Sequence, residues 1–156
     1  MKYLLSIMLI FTAFNVHADD IFPAGCKAIV VKDESVNLTA PKPVVVMVHN
    51  LAKHELWLTH PVAEPSASAG WTSRLQGGNW SALALHDKSF ELSCIESRPG
   101  HEQQISCAGV LAVCELGVET KPANDTATYW AGEDMPLSAL IAYIARRGFT
   151  LPTPAQ

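Results

Sequence analysis

The sequence predicts an all-β fold, an antiparallel sandwich or barrel carrying one short C-terminal helix. Three observations point there. Short runs rich in β-branched and aromatic residues recur about every ten residues, with Gly, Pro and Asn turn signals between them. Several runs alternate apolar and polar residues with the period of a half-buried strand. Only the last part of the chain, around residues 136–147, has helical composition.

In chain order, residues 1–18 combine a basic start at Lys2, an apolar run too short to span a bilayer, and Val16-His17-Ala18 with small residues where a signal peptidase cuts. They read as a secretory signal, so the mature chain begins at Asp19. Removing them takes Lys2 from the 11 Lys and Arg, leaving ten against 15 Asp and Glu, a net charge of −5. That balance excludes nucleic-acid binding and a polybasic membrane surface. No later segment is long and apolar enough to form a transmembrane span. The expected organisation is a signal at 1–18, a sandwich at 19–132, and a helix with its tail at 133–156.

The first predicted strand is the run at 26–31, and a short second one covers 36–38. Pro41 and Pro43 punctuate a turn before Val44-Val45-Val46-Met47-Val48-His49-Asn50, the most strand-like stretch of the chain. Glu55-Leu56-Trp57-Leu58-Thr59 alternates as another strand, and residues 62–70 read as a loop. A brief extended piece at 72–75 leads into the turn Gln76-Gly77-Gly78-Asn79, then to an alternating strand at 80–85. Residues 90–115 read as a hairpin whose polar turn is Arg98-Pro99-Gly100-His101, where Pro fixes a negative φ and Gly accepts a positive one. The polar stretch 117–132 is expected to be irregular, with Tyr129-Trp130 as a packing anchor. The helix that follows is expected to be capped by Asp134, to carry Pro136 in its first turn and to stop at Gly148. Leu137, Leu140, Ile141 and Ile144 form its apolar face.

The four cysteines, Cys26, Cys94, Cys107 and Cys114, all follow the signal, and an even count in an oxidising compartment favours two disulfides. Four cysteines allow three connectivities. A hairpin turn centred between Gly100 and His101 sets Cys94 opposite Cys107 and so favours that bridge, leaving Cys26 for Cys114.

From Val44 onwards the order of motifs resembles the cupredoxin family. Val48-His49-Asn50 and His60 are followed by Gly77-Gly78, the run from Phe90 to Cys94, the loop Pro99-Gly100-His101, and then Cys107-Ala108-Gly109-Val110. The resemblance implies a cupredoxin-like antiparallel β-sandwich. Its copper ligands would fall on His60 (or His54), Cys94 and His101. The family's methionine position is held by Cys107, and a Cys94–Cys107 bridge would remove the thiolate that a blue-copper centre needs.

A second resemblance covers nearly all of the mature chain. The segments VHNLAKHELWLTHPV, PSASAGWTSRLQGGNWSALAL, FELSCIESRPGHEQQISCAG and YWAGEDMPLSALIAYIARRGF are similar to the enhanced-entry protein B type of intracellular bacterial pathogens. This family resemblance implies an exported, periplasmic or secreted envelope protein that supports bacterial entry into host cells. It attaches no chemistry.

The residues themselves offer no nucleophile elbow, no paired acids and no CxxC, so an enzyme is not expected. Nor is a resident cofactor, with copper the alternative. The binding candidates are Trp71, Arg74 and Trp80, which bring two indoles and a guanidinium together within ten residues. The expected partner is an envelope protein or a glycan.

Overall fold

The computed structural model describes residues 21–40, 42–60, 72–85, 88–118 and 128–151. The predicted signal at 1–18, the loop at 62–70, and Trp71 and His86 lie outside these residues.

The chain forms β1 (Cys26–Ile29), β2 (Ser35–Ala40), β3 (Val44–Asn50), β4 (Leu56–Thr59), β5 (Thr72–Leu75), β6 (Trp80–Leu85), β7 (Lys88–Glu96), β8 (Gln103–Ile105), β9 (Leu111–Gly117), β10 (Tyr129–Met135) and α1 (Leu137–Arg146). Sheet A has the order β1-β9-β3-β6-β10, and sheet B the order β2-β7-β4-β5 with β8 also on β7. All of these pairings are antiparallel. The all-β class, the two-sheet arrangement, the C-terminal helix and both disulfides are as the sequence led us to expect.

Alternation explains the layers. On β7, Phe90, Leu92 and Cys94 point into the space between the sheets, where Val36, Leu38, Leu56, Leu58 and Leu75 meet Val44, Val46, Val48, Leu83 and Leu85 of sheet A. The alternate residues of β3 and β6 are mostly apolar too. Val45, Met47, Trp80, Ala82 and Ala84 face a second cluster with Leu140 and Ile144 of α1 and Phe149. Sheet A is therefore covered on both faces, which is why VVVMV has no polar alternation. Gly132 makes this docking possible: a Cβ there would sit 2.5 Å from Leu140 Cδ1.

The predicted hairpin at 90–115 needs correction. Its turn forms as expected, with His101 N donating to Arg98 O at 2.7 Å and Gly100 at φ 78. The second arm, however, is split. Only Gln103–Ile105 pairs with β7, in a register that sets Cys94 opposite Ile105. The chain then leaves the ladder, turns at 107–110 with Gly109 at φ 80, and crosses to sheet A as β9.

Cys94 and Cys107 are bonded nonetheless, at a Cα–Cα distance of 5.4 Å in the inter-sheet core, because leaving the ladder turns Cys107 inward. Cys26 and Cys114 form the other bridge, diagonal across β1 and β9.

Two further expectations give way at the C-terminus. Part of the stretch expected to be irregular is strand β10, which pairs with β6 through register shifts at Gly132. Asp134 does not cap the helix. Pro136 holds the N-cap position without a side-chain hydrogen bond, while Asp134 sits at φ 50 and bonds elsewhere. Gly148 ends the helix at φ 94, as predicted.

Candidate binding surface

One end of the sandwich is organised by Asn50, the fully buried last residue of β3. Its Nδ2 donates to His54 O and Leu75 O, both at 2.8 Å, and its Oδ1 accepts from Ala52 N at 2.8 Å. Its own N–H donates to Asn79 O, and its carbonyl accepts from Gly78 N. One side chain thus fixes the β3–β4 connection against the β5–β6 turn. The two loops approach so closely that a Cβ on Gly77 would lie 2.7 Å from Ala52 O. Asp134 Oδ1 completes the frame by accepting from Gln76 N at 2.8 Å and Asn79 Nδ2 at 2.9 Å.

On this frame stands a polar and aromatic group at the outer face of sheet B. Leu56 and Leu58 go into the core, so Trp57 between them faces out and is half-buried. Arg74 lies opposite it on β5, its guanidinium 5.5 Å from the indole centroid, and Ile95 lies opposite on β7. Trp57 Nε1 donates to Glu55 Oε1 at 2.8 Å, and Gln76 Nε2 donates to the other oxygen of the same carboxylate. At the end of β7, on the side of Leu56, Glu96 Oε1 lies 2.9 Å from His54 Nε2 and 2.5 Å from Arg98 Nη2. Arg74 is exposed and makes no ion pair among the described residues. The arrangement offers a guanidinium and a held indole in one place, with an amide and a carboxylate beside them. Such a group suits contact with a protein or a sugar.

Of the three predicted binding residues, only Arg74 belongs here. Trp80 is 4% exposed and lies on sheet A, facing the helix side. Its ring stacks on His49, with centroids 4.2 Å apart and planes 4° apart, and Phe22 meets it edge-on at 6.2 Å. Trp71 is outside the described residues. Trp57 is the aromatic that our sequence reading did not single out. The alternation of Glu55-Leu56-Trp57-Leu58-Thr59 was the available signal, since it puts Trp57 opposite two leucines.

The residues aligned with copper ligands do not form a site here. His60 stacks on Phe90 at 4.1 Å, and its Nδ1 lies 2.8 Å from Glu91 O. His101 is exposed on the β7–β8 turn, beyond Glu96. The stretch of β7 between Glu91 and Glu96 separates the two by roughly 16 Å. Cys94, between them, is bonded through its sulfur to Cys107. Among the described residues, no group of three or more His, Cys, Asp or Glu side chains is placed to hold a metal ion.

His49 has a shifted pKa. Burial pushes its imidazole below the ordinary value, and the contact of Nε2 with Gly78 O at 3.2 Å offsets part of the shift. Among the described residues, its buried Nδ1 has no hydrogen-bond partner. In the neutral tautomer, Nε2–H serves Gly78 and Nδ1 is left as a bare acceptor.

Compared with known proteins, the chain matches no family model, no curated protein and no solved structure.

Proposed function

We propose that this is an exported, non-catalytic envelope protein that supports bacterial entry into host cells. It acts by contacting a protein or a glycan through the outer face of sheet B around Trp57 and Arg74. The observation that carries the reading is the joint arrangement of these two side chains, with Glu55 holding both the indole N–H and Gln76. A surface whose polar groups are already fixed loses little side-chain freedom on binding.

Two disulfides support a chain that matures outside the reducing cytoplasm, in the periplasm or beyond it. No helix among the described residues is long and apolar enough to cross a membrane. The likeness of four long segments to the enhanced-entry type supplies the link to host cells, and the likeness in motif order supplies the cupredoxin-like reading of the sandwich. Copper binding through His60, Cys94 and His101 would first require reduction of the Cys94–Cys107 bridge.

The test is complementation. Bacteria lacking the protein are given either the wild-type chain or the Trp57→Ala/Arg74→Ala chain at equal periplasmic level. Host-cell entry is expected to be restored by the first and not by the second. Equal restoration by both would overturn the assignment of this surface.

A further inference from the structure

A second place in the molecule, independent of the sheet B surface, has the makings of a ligand site. At the opposite end of β3, edge strand β2 stands off from β9 and leaves a cleft of about 220 Å³. Its floor is apolar, made by Leu38, Val44, Val46 and Leu85 of the core, with Ile29 at the side. An enclosed apolar cavity of about 150 Å³ holds benzene, so a cleft of this volume has room for a short alkyl chain. The rim is polar, with the exposed Asn37 and Thr39 of β2.

The unusual member of the lining is Glu115. On β9, Leu111 and Val113 point between the sheets, and Glu115 continues that side of the strand, directly opposite Val46. It is half-buried, and its carboxylate makes no hydrogen bond or ion pair among the described residues. Lys27, its partner in register on β1, is exposed and does not pair with it. A carboxylate drawn partly out of water against apolar walls, with no cation in ion-pair contact among the described residues, gains from a cation that brings its own apolar body. An apolar floor with a few placed polar groups, here Glu115 and the rim residues Asn37 and Thr39, is the usual form of small-ligand sites.

We propose that this cleft binds an alkylammonium group, with its hydrocarbon stem on Leu38, Val44, Val46 and Leu85 and its ammonium on the Glu115 carboxylate. The source is either a free aliphatic amine or a lysine side chain of a bound peptide, which share this chemistry.

The test is an NMR titration of the oxidised protein at neutral pH with n-pentylamine, using n-pentanol and pentanoate as controls of the same stem. The amine is expected to shift the signals of Ile29, Leu38, Val44, Val46, Leu85 and Glu115, and to bind at least ten-fold more tightly than the alcohol. Pentanoate is expected to bind more weakly than the alcohol. Glu115→Gln should abolish the preference for the amine and leave the alcohol's affinity unchanged.

Equal affinity of amine and alcohol for the wild-type protein would overturn the proposal without reference to any variant. Shifts confined to other residues, or no binding of the amine at millimolar concentration, would overturn it too. A lysine-containing tripeptide with blocked ends then separates the sources. Tighter binding than the amine at the same residues assigns the site to a peptide, and weaker binding assigns it to a free amine. Host-cell contact through Trp57 and Arg74 stands or falls separately.

Discussion

His49 lies flat against Trp80, with ring planes 4° apart, at the end of β3 where Gly78 O receives its Nε2. Burial disfavours the charged imidazole, so its folded pKa lies below the ordinary value of about 6.5. As pH falls, the unfolded chain takes up this proton first. The contribution of His49 to stability is therefore whole above the unfolded pKa. It declines as pH drops through about 6.5 and levels off below the folded value. Urea unfolding between neutral and mildly acidic pH is expected to show this loss. His49→Gln should reduce the slope in that window, and an unchanged slope would show that another group is responsible.

The two bridges differ in the length of chain they close. Cys26 and Cys114 are 88 residues apart, and Cys94 and Cys107 are 13 apart. By loop entropy alone, replacing the first pair with alanine should cost about 4.6 kcal/mol and replacing the second about 3 kcal/mol. Both double variants are expected to retain the sheets at low temperature and to unfold at lower urea. The Cys26→Ala/Cys114→Ala chain should be the less stable of the two.

Asn50 and Gly77 are expected to be the sensitive residues of the loop end. Asn50→Ala removes the partners of His54 O, Leu75 O and Ala52 N. Leaving buried backbone groups unsatisfied costs roughly 1–3 kcal/mol each, part of which water can recover. A loss of about 3 kcal/mol in chemical denaturation is the expected result. Gly77→Ala forces a Cβ onto the Ala52 and Lys53 backbone, an overpacking expected to cost about 1–3 kcal/mol. Because this frame carries Glu55 and Gln76, both variants should weaken partner binding as well as the fold.

Much of the fold was legible because local pattern and tertiary burial agree. β3, β5 and β6 occupy the residues that their alternation or β-branched composition marks, and the Pro99-Gly100 turn forms where its chemistry requires. The failures are places where a distant contact decides. β10 carries Gly132, Glu133 and Asp134, poor strand residues by propensity, yet pairing with β6 and the close approach of α1 at Gly132 fix it.

The Cys94–Cys107 bridge was expected for a register that does not occur. The bond forms because the chain abandons the ladder after Ile105, and turn symmetry alone does not reveal that. Asp134 looked like a helix cap because Pro136 follows it. Its actual partners, Gln76 and Asn79, are more than fifty residues away in sequence. Proximity in the chain likewise grouped Trp80 with Arg74, although β5 and β6 belong to different sheets.

The most direct test of the binding account is a saturation isotherm of labelled, oxidised protein on host cells. It compares the wild-type chain with Trp57→Ala and Arg74→Ala, with folding verified for each. Arg74 is exposed and Trp57 half-buried, so Arg74→Ala is expected to change stability by no more than about 0.5 kcal/mol and Trp57→Ala to lower it by about 1 kcal/mol. If Trp57 and Arg74 anchor the contact, affinity should fall about thirty-fold for Trp57→Ala and about ten-fold for Arg74→Ala. Wild-type affinity in both variants would contradict the account and move the contact to another face of the molecule.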